Sequence, residues 1–112
     1  MTAQVILAFS SCPGGTVAQR IAEALVAEHI CTCVNRIENV RSTYFWDGRL
    51  QDDVEILLIM KTTAERLPAL ERRLQELHPY DLPELIATPV TGGNEQYLEW
   101  IRRNVHPRGD SQ

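Results

Sequence analysis

The sequence lacks the features that mark several large classes of protein. Its longest apolar stretches fall well short of the roughly 18 residues that a membrane-spanning helix requires, so no membrane partner is expected. Its 11 lysines and arginines are outnumbered by 15 aspartates and glutamates, which removes the basic surface of a general nucleic-acid-binding protein. Three cysteines are too few, and odd in number, for a disulfide framework.

Catalytic and nucleotide-binding motifs are missing as well. The histidines His29, His78 and His106 form no pattern with a nucleophile or a carboxylate, and neither G-x-x-x-x-G-K-[ST] nor G-x-G-x-x-G occurs. No positive charge precedes the first apolar stretch, as it would in a secretory signal. We therefore predict a cytoplasmic protein that is not an enzyme.

What is present predicts one domain. At 112 residues the chain is long enough for a single core, and with 44% hydrophobic residues it is too apolar to be disordered. We predict a domain over residues 1–105 and a polar tail over residues 106–112.

Apolar runs and turn residues predict the order β-α-β-β-α-β followed by a short helix. Four strands are predicted. The first covers residues 4–9, the third 49–62 and the fourth 84–90, while the second begins at 30–34 and is either continued or replaced by residues 40–46. The helices are predicted over 16–29, over 64–77 and over a short segment capped by Asn94. Thr16 and Gln19 have the spacing of a capping box at the first helix. Pro89 lacks a ladder donor and places the fourth strand at a sheet edge. This order is typical of a ferredoxin-like α+β sandwich.

Asp47-Gly48 is the clearest local signal, because these residues tolerate the positive φ angles of a type I′ hairpin turn. The flanking strands would form a hairpin up to about 40 Å long, more than this chain can cover with its own core. We infer that the outer part, with Tyr44, Phe45 and Trp46, is covered by another copy of the chain. The acidic residues Asp52, Asp53 and Glu55 are predicted to form a solvated hairpin face.

The candidate binding residues leave alternatives open. His78 is either a metal ligand, with partners such as Glu84 or Cys12, or a cap on the last carbonyls of the second helix. Lys61, the only lysine, either binds an anionic group or reaches solvent from a strand end. The turn from Cys12 to Gly15 is a weak candidate for an anion site near a helix N-terminus.

Five short motifs follow one another along nearly the whole chain, each occurring once. They are Tyr44-Phe45-Trp46-Asp47-Gly48, Met60-Lys61-Thr62-Thr63, His78-Pro79-Tyr80-Asp81-Leu82-Pro83-Glu84-Leu85, Pro89-Val90-Thr91-Gly92-Gly93 and Tyr97-Leu98-Glu99-Trp100. This succession resembles the CutA divalent-cation tolerance family. The resemblance implies a ferredoxin-like protomer in a tight homotrimer, similar in architecture to the PII signalling proteins, with Tyr44, Trp46 and Trp100 as interface anchors.

The resemblance also implies a pocket between protomers, near Lys61, His78, Tyr80 and Glu84. The copper site of the family uses a cysteine at the end of the first strand and two adjacent histidines before the Pro-Tyr pair. This chain has Ser10 at the first of these positions and Leu77-His78 at the others, and neither serine nor leucine is a good copper ligand. Cys12 can replace the missing cysteine only if its turn directs the sulfur inward.

Two functions follow as expectations. The first is a non-catalytic homotrimer of divalent metal-ion tolerance that binds Cu²⁺ or another divalent cation weakly through His78, Glu84 and Cys12, with no tightly bound cofactor. The second is a PII-like regulatory module that binds a small anion or a partner protein at the same cleft, with Lys61 and Tyr80 among its lining residues.

Overall fold

The computed structural model describes residues 3–107, which form four strands, three α-helices and one 3₁₀ turn. In chain order they are β1 (Val5–Cys12), α1 (Gly15–Ala27), β2 (Cys33–Trp46), β3 (Arg49–Thr63), the 3₁₀ turn (Ala64–Arg66), α2 (Leu67–Leu77), β4 (Ile86–Pro89) and α3 (Glu95–Arg103). No helix among these residues has the length and apolar character needed to cross a membrane.

The four strands form one antiparallel sheet in the order β2-β3-β1-β4. With α1 connecting β1 to β2 and α2 connecting β3 to β4, this is the ferredoxin-like arrangement that the sequence predicts. The strand that contains Pro89 lies at a sheet edge, also as predicted.

One face of the sheet carries the main core. Side chains alternate between the faces of a strand, and the even-numbered residues of β1 and β3 lie beneath α1 and α2. Ala8, Leu58 and Met60 are fully buried there, with Ile21 and Leu25 of α1 and Leu70 and Leu74 of α2. This apolar layer fixes the register between the sheet and both helices.

The opposite face, which we call the open face, is covered by a helix only at one end. There α3 packs Leu98 and Ile101 against Val5 of β1. Along the rest of the face the strand pairings line up Phe9 with Ile59 and Ile86, and Leu57 with Ile37. Ile86 is 63% exposed and Ile37 44% exposed, so an apolar sheet surface remains without a partner within one protomer.

The β2–β3 hairpin projects beyond the rest of the sheet. Its turn has φ of 55° at Asp47 and 73° at Gly48, which confirms the predicted turn. Because β1 ends where Cys12 pairs with Ile56, the seven pairs from Val40–Glu55 to Trp46–Arg49 have no third strand beside them. That overhang, the hairpin arm, is about 23 Å long at the usual strand rise.

Several element bounds differ from the sequence predictions. β1 continues through Ser10 to Cys12, where a turn was expected, because the side chains of both residues face the core and are fully buried. The predicted capping box is wrong, since the N-cap of α1 is Gly14 and no side chain caps it. Asn94 does cap α3, accepting a hydrogen bond from the Tyr97 N–H at 3.0 Å.

Three further elements, β2, the second helix and β4, begin or end at residues other than those predicted, for reasons of backbone geometry. β2 begins at Cys33 and runs without a break, accommodating a bulge between Ile37 and Val40 in which Asn39 has a φ of 64°. The second helix opens with a 3₁₀ turn, and Pro68 lies in the first turn of α2, where proline is tolerated. β4 is limited to residues 86–89, since it pairs with β1 only from Phe9 to Ile6.

The predicted tail lies partly within the structure. His106 stacks on His29 with ring centroids 4.3 Å apart, and its N–H donates to the His29 carbonyl at 3.1 Å. Residues 108–112 of the predicted tail lie outside the described residues.

Candidate functional site

A cleft of about 720 Å³ lies on the open face at the base of the hairpin arm. Its lining combines three aromatic, three carboxylate and three hydroxyl side chains with one leucine: Tyr44, Trp46, Tyr80, Glu55, Asp81, Glu84, Ser11, Ser42, Thr43 and Leu82. The volume is in the range of small-molecule sites, and much larger than a bare metal ion needs.

Strand alternation explains why the hairpin residues of the cleft share a face. The pairings join Val40 to Glu55, Ser42 to Asp53 and Tyr44 to Gln51, and paired residues point to the same side. The bulge before Val40 shifts the β2 alternation by one residue, so its even-numbered residues now accompany the odd-numbered residues of β3. Without that bulge, Tyr44 and Glu55 would lie on opposite faces.

His78 holds the other wall of the cleft in place. It is the C-cap of α2 and is buried, with Nε2 at 2.7 Å from the Ser11 carbonyl oxygen and Nδ1 accepting the Tyr80 N–H at 3.1 Å. The hydrogen-bond pattern therefore assigns the ring proton to Nε2. This double link fastens the loop after α2, with Tyr80, Asp81 and Glu84, over the end of β1.

Two tyrosines donate hydrogen bonds to carboxylates at the cleft. The Tyr80 hydroxyl donates to Glu55 Oε2 at 3.3 Å, and the Tyr44 hydroxyl donates to Asp53. The bond to Asp53, which is lost if the phenol ionises, is the main reason that the pKa of Tyr44 rises to about 12. Burial, followed by the Glu55 charge, raises the pKa of Tyr80.

Replacing Asp53 by asparagine is expected to lower the pKa of Tyr44 towards the ordinary value near 10, because a neutral partner favours the phenol less. Because the pKa of Tyr44 is higher in the folded than in the unfolded state, its hydrogen bond to Asp53 contributes to stability in full below pH 10. This contribution is lost as the pH rises through about 12. Tyrosinate absorbance between pH 8 and 13 measures the shift. Asp52→Asn is the matched control, since Asp52 pairs with Arg41 instead; an equal shift in both variants would contradict the assignment.

The residues predicted as metal ligands occupy different environments. Glu84 is exposed and accepts a hydrogen bond from Ser11 Oγ at 3.3 Å. Cys12 is fully buried in the main core, where its Sγ lies 3.8 Å from the Ile56 carbonyl oxygen. Burial, followed by the Glu55 charge, raises the pKa of the Cys12 thiol and so disfavours the thiolate that a metal ion requires.

These side chains do not form a ready-made metal centre within one protomer. Among residues 3–107, no group of three or more histidines, cysteines, aspartates and glutamates is placed to hold an ion. Both His78 nitrogens are engaged by backbone groups, so neither has a lone pair free for a metal. One protomer in this conformation therefore does not fit a tightly bound resident ion.

Lys61 and Trp100 lie apart from the cleft lining: Trp100 is part of α3, and Lys61 lies beside that helix. Lys61 Nζ is 3.4 Å from the Tyr97 hydroxyl and 5.8 Å from the centroid of that ring. Trp100 is 39% exposed, and its ring centroid is 5.4 Å from that of Tyr97. The structure brings Tyr44, Trp46, Tyr80 and Glu84 together in one cleft and leaves Lys61 and Trp100 outside it.

Glu55 is the main residue of the cleft that sequence reasoning missed. The prediction of a solvated face is wrong for this residue, which is only 6% exposed because Tyr80 covers it. The missing signal is the covering loop, which lies 25 residues further along the chain. The sequence does contain one usable signal: Asp53 and Glu55 are two residues apart on one strand, so their side chains lie on the same face of the sheet.

The fold and the cleft define the class: a ferredoxin-like α+β protein with a projecting β2–β3 hairpin and an acidic cleft at its base. Residues 6–104 match the family described as CutA1 divalent ion tolerance protein. The chain belongs to this family, which confirms the resemblance seen in the spaced motifs.

Relatives from distant organisms support the assignment. The chain is 45% identical over 93 residues to a divalent-cation tolerance protein CutA of Thermus thermophilus, covering 83% of this chain and 90% of the relative. It is 40% identical to protein CutA of Homo sapiens over 96% of this chain, but spans only 60% of the human protein. The crystal structure of CutA1 from Oryza sativa matches with a TM-score of 0.91 and 37% identity, covering 94% of this chain and 96% of the other.

Proposed function

We propose that the protein is a non-catalytic homotrimer that acts in tolerance of divalent metal ions, copper among them, and binds the ion weakly at a cleft between protomers. Membership of the CutA1 divalent ion tolerance family supports the general role. The single observation that carries the binding proposal is the cleft at the base of the hairpin arm, whose lining holds Glu55, Asp81 and Glu84 and no basic side chain.

The surface of one protomer supports the oligomer. The open face leaves Phe9, Leu57 and Ile59 only half-buried, while the hairpin arm exposes Phe45 by 72% and Trp46 by 59%. Apolar side chains on a sheet face and an unpaired arm are stabilised when further copies cover them. In this proposal Tyr44, Trp46 and Trp100 are interface anchors, as aromatic residues often are.

Glu84 is the first candidate ligand, because its carboxylate is exposed and touches the cleft. Oxygen ligands suit divalent cations, and further donors would come from neighbouring carboxylates or from a second protomer. His78 and Cys12 remain in the proposed set only if the loop releases a His78 nitrogen or the strand turns the Cys12 sulfur outwards. Both changes cost free energy, and the proposed binding is therefore weak.

The alternative of an anion at the same cleft has less support. Its lining supplies three carboxylates and does not include Lys61, whose ammonium group lies beside Tyr97 at the α3 end of the open face. An anion would meet negative potential at this place. We therefore favour a cation as the ligand.

The non-catalytic role and a cytoplasmic location belong to the same proposal. His78 directs both nitrogens to backbone groups instead of to a nucleophile. Cys12, Cys31 and Cys33 are all free, as is usual in a reducing compartment.

Calorimetric titration of Cu²⁺ into metal-free protein tests the ligand assignment. We expect saturable binding that weakens about tenfold or more in Glu84→Gln, which equals about 1.4 kcal/mol of binding free energy. Glu71→Gln is the control, since Glu71 is an exposed carboxylate on α2. Absence of saturable binding, or equal loss in both variants, would refute the proposed site.

A further inference from the structure

A second cavity, of about 330 Å³, lies between the 3₁₀ turn and the C-terminal end of α3. It shares no lining residue with the cleft at the base of the hairpin arm. Its volume is at the lower end of the range for small-molecule sites. Five polar side chains contribute to its lining: Thr63, Glu65, Arg66, Arg102 and His106.

Arg66 brings a guanidinium group without a partner to this cavity. The side chain is half-buried, and its Nε is fully shielded from solvent. Within residues 3–107 no group forms a hydrogen bond or ion pair with it, and the adjacent carboxylate of Glu65 is exposed to solvent instead. Burying a charged donor without an acceptor is costly, and an anion that accepts from this guanidinium removes the cost.

Two other polar groups of the lining are unpartnered as well. Thr63 is 2% exposed, and its hydroxyl forms no hydrogen bond with any described residue. His106 has Nδ1 at 3.2 Å from the Pro107 carbonyl oxygen, so Nδ1 carries the ring proton, while its buried Nε2 has no partner. A nearby anion favours protonation of that nitrogen, which then becomes a donor. Because buried polar groups are almost always hydrogen-bonded, three unpartnered groups around one cavity favour a ligand that satisfies them.

Arg102 adds a second guanidinium group that is already held in position. Its Nε donates to the Ala3 carbonyl oxygen at 2.8 Å and its Nη1 lies 3.3 Å from Glu99 Oε1, which leaves Nη2 without a partner in the described part of the chain. Two arginines against the single carboxylate of Glu65 give the lining a net positive charge, although the whole chain has a net charge of −4. Attraction of an anion to this cavity is therefore local.

We propose that this cavity binds a small phosphate-class anion, either inorganic phosphate or the terminal group of a phosphate monoester. The planar fork of Arg66 matches two phosphate oxygens, and the remaining oxygens accept from Arg102 Nη2 and the Thr63 hydroxyl. A carboxylate has only two oxygens and cannot satisfy all of these donors. The bound anion ties the 3₁₀ turn to the end of α3. This site goes beyond the proposed role in metal-ion tolerance and does not depend on it.

Calorimetric titration of the full chain with inorganic phosphate, at neutral pH and constant ionic strength, tests the inference. We expect saturable binding to the wild type and an affinity at least about tenfold lower in Arg66→Gln, which loses a charged hydrogen-bond donor. Thr63→Val, which keeps the shape of the side chain and removes only the hydroxyl, is expected to bind about threefold more weakly or worse. Arg72→Gln is the matched control, because Arg72 is exposed on α2.

Thermal unfolding separates a lost ligand from a damaged fold. Phosphate is expected to raise the melting temperature of the wild type and of Arg72→Gln, and to leave that of Arg66→Gln unchanged. Without phosphate, Arg66→Gln is expected to melt close to the wild type, since Arg66 has no hydrogen bond or ion pair to lose.

Three results would overturn the inference. The first is no saturable phosphate binding, as when a carboxylate of a second copy or of residues 108–112 fills the cavity. The second is equal weakening in Arg66→Gln and Arg72→Gln, which indicates attraction to positive charge in general. The third is displacement of phosphate by an equal concentration of acetate, which indicates a carboxylate site.

Discussion

Ile59→Glu is expected to convert the proposed trimer, whose mass of about 38 kDa is three times the 12.7 kDa of one chain, into a monomer. Ile59 lies on the open face of β3, an inner strand of the sheet, and is paired with Phe9 of β1 on one side and Asn35 of β2 on the other. In the proposed trimer this face is buried, so each protomer would place an unpaired carboxylate in an apolar interface. The effective penalty is several kcal/mol per charge, enough to dissociate the assembly.

Light scattering coupled to size exclusion measures both masses, and circular dichroism checks that the variant keeps its secondary structure. Val26→Glu is the matched control, because Val26 is an apolar residue 39% exposed on α1, on the side of the sheet opposite to the open face. It is expected to keep the mass of the wild type. A wild-type monomer would remove the trimer proposal, and a trimeric Ile59→Glu would show that the open face is not the interface.

Local signals were sufficient for most of the fold. The Asp47-Gly48 turn, the cap at Asn94 and the edge position required by Pro89 are each determined by a few neighbouring residues, and all three are confirmed. The bounds that differ depend on distant partners. β1 extends to Cys12 because β3 pairs with it as far as Ile56 and because Ser10 and Cys12 are buried in the core, and the pairing residues lie more than 40 residues away in the sequence.

The candidate site was harder to predict for the same reason. Glu84 is named as a possible partner of His78 and Tyr80 through the family resemblance, and both line the cleft, whereas Glu55 is predicted to face solvent. A charged residue on a hairpin is usually solvated, and only the loop held by His78 buries this one. The predicted cap by the His78 side chain is wrong: only its backbone N–H bonds to a carbonyl of α2, while its buried ring links Ser11 of β1 to Tyr80 of the loop.

His78→Ala is expected to lower the free energy of unfolding by roughly 2–4 kcal/mol, because it leaves a cavity and removes the partners of two backbone groups. The Ser11 carbonyl oxygen loses a donor at 2.7 Å, and the Tyr80 N–H loses its acceptor. Denaturant unfolding measures the change. Arg72→Ala, at an exposed position of α2, is the control and should stay within about 0.5 kcal/mol of the wild type.

The same variant decides how ion binding should be interpreted. His78 fastens the loop that carries Glu84, so His78→Ala can weaken Cu²⁺ binding even if the imidazole never contacts the ion. Glu84→Gln leaves that fastening intact and changes only the carboxylate. If Glu84→Gln loses copper, Glu84 is a ligand, and a loss in His78→Ala then agrees both with positioning and with a second ligand. If only His78→Ala loses copper while its stability is unchanged, the imidazole is the ligand and its backbone bridge is weaker than the geometry implies.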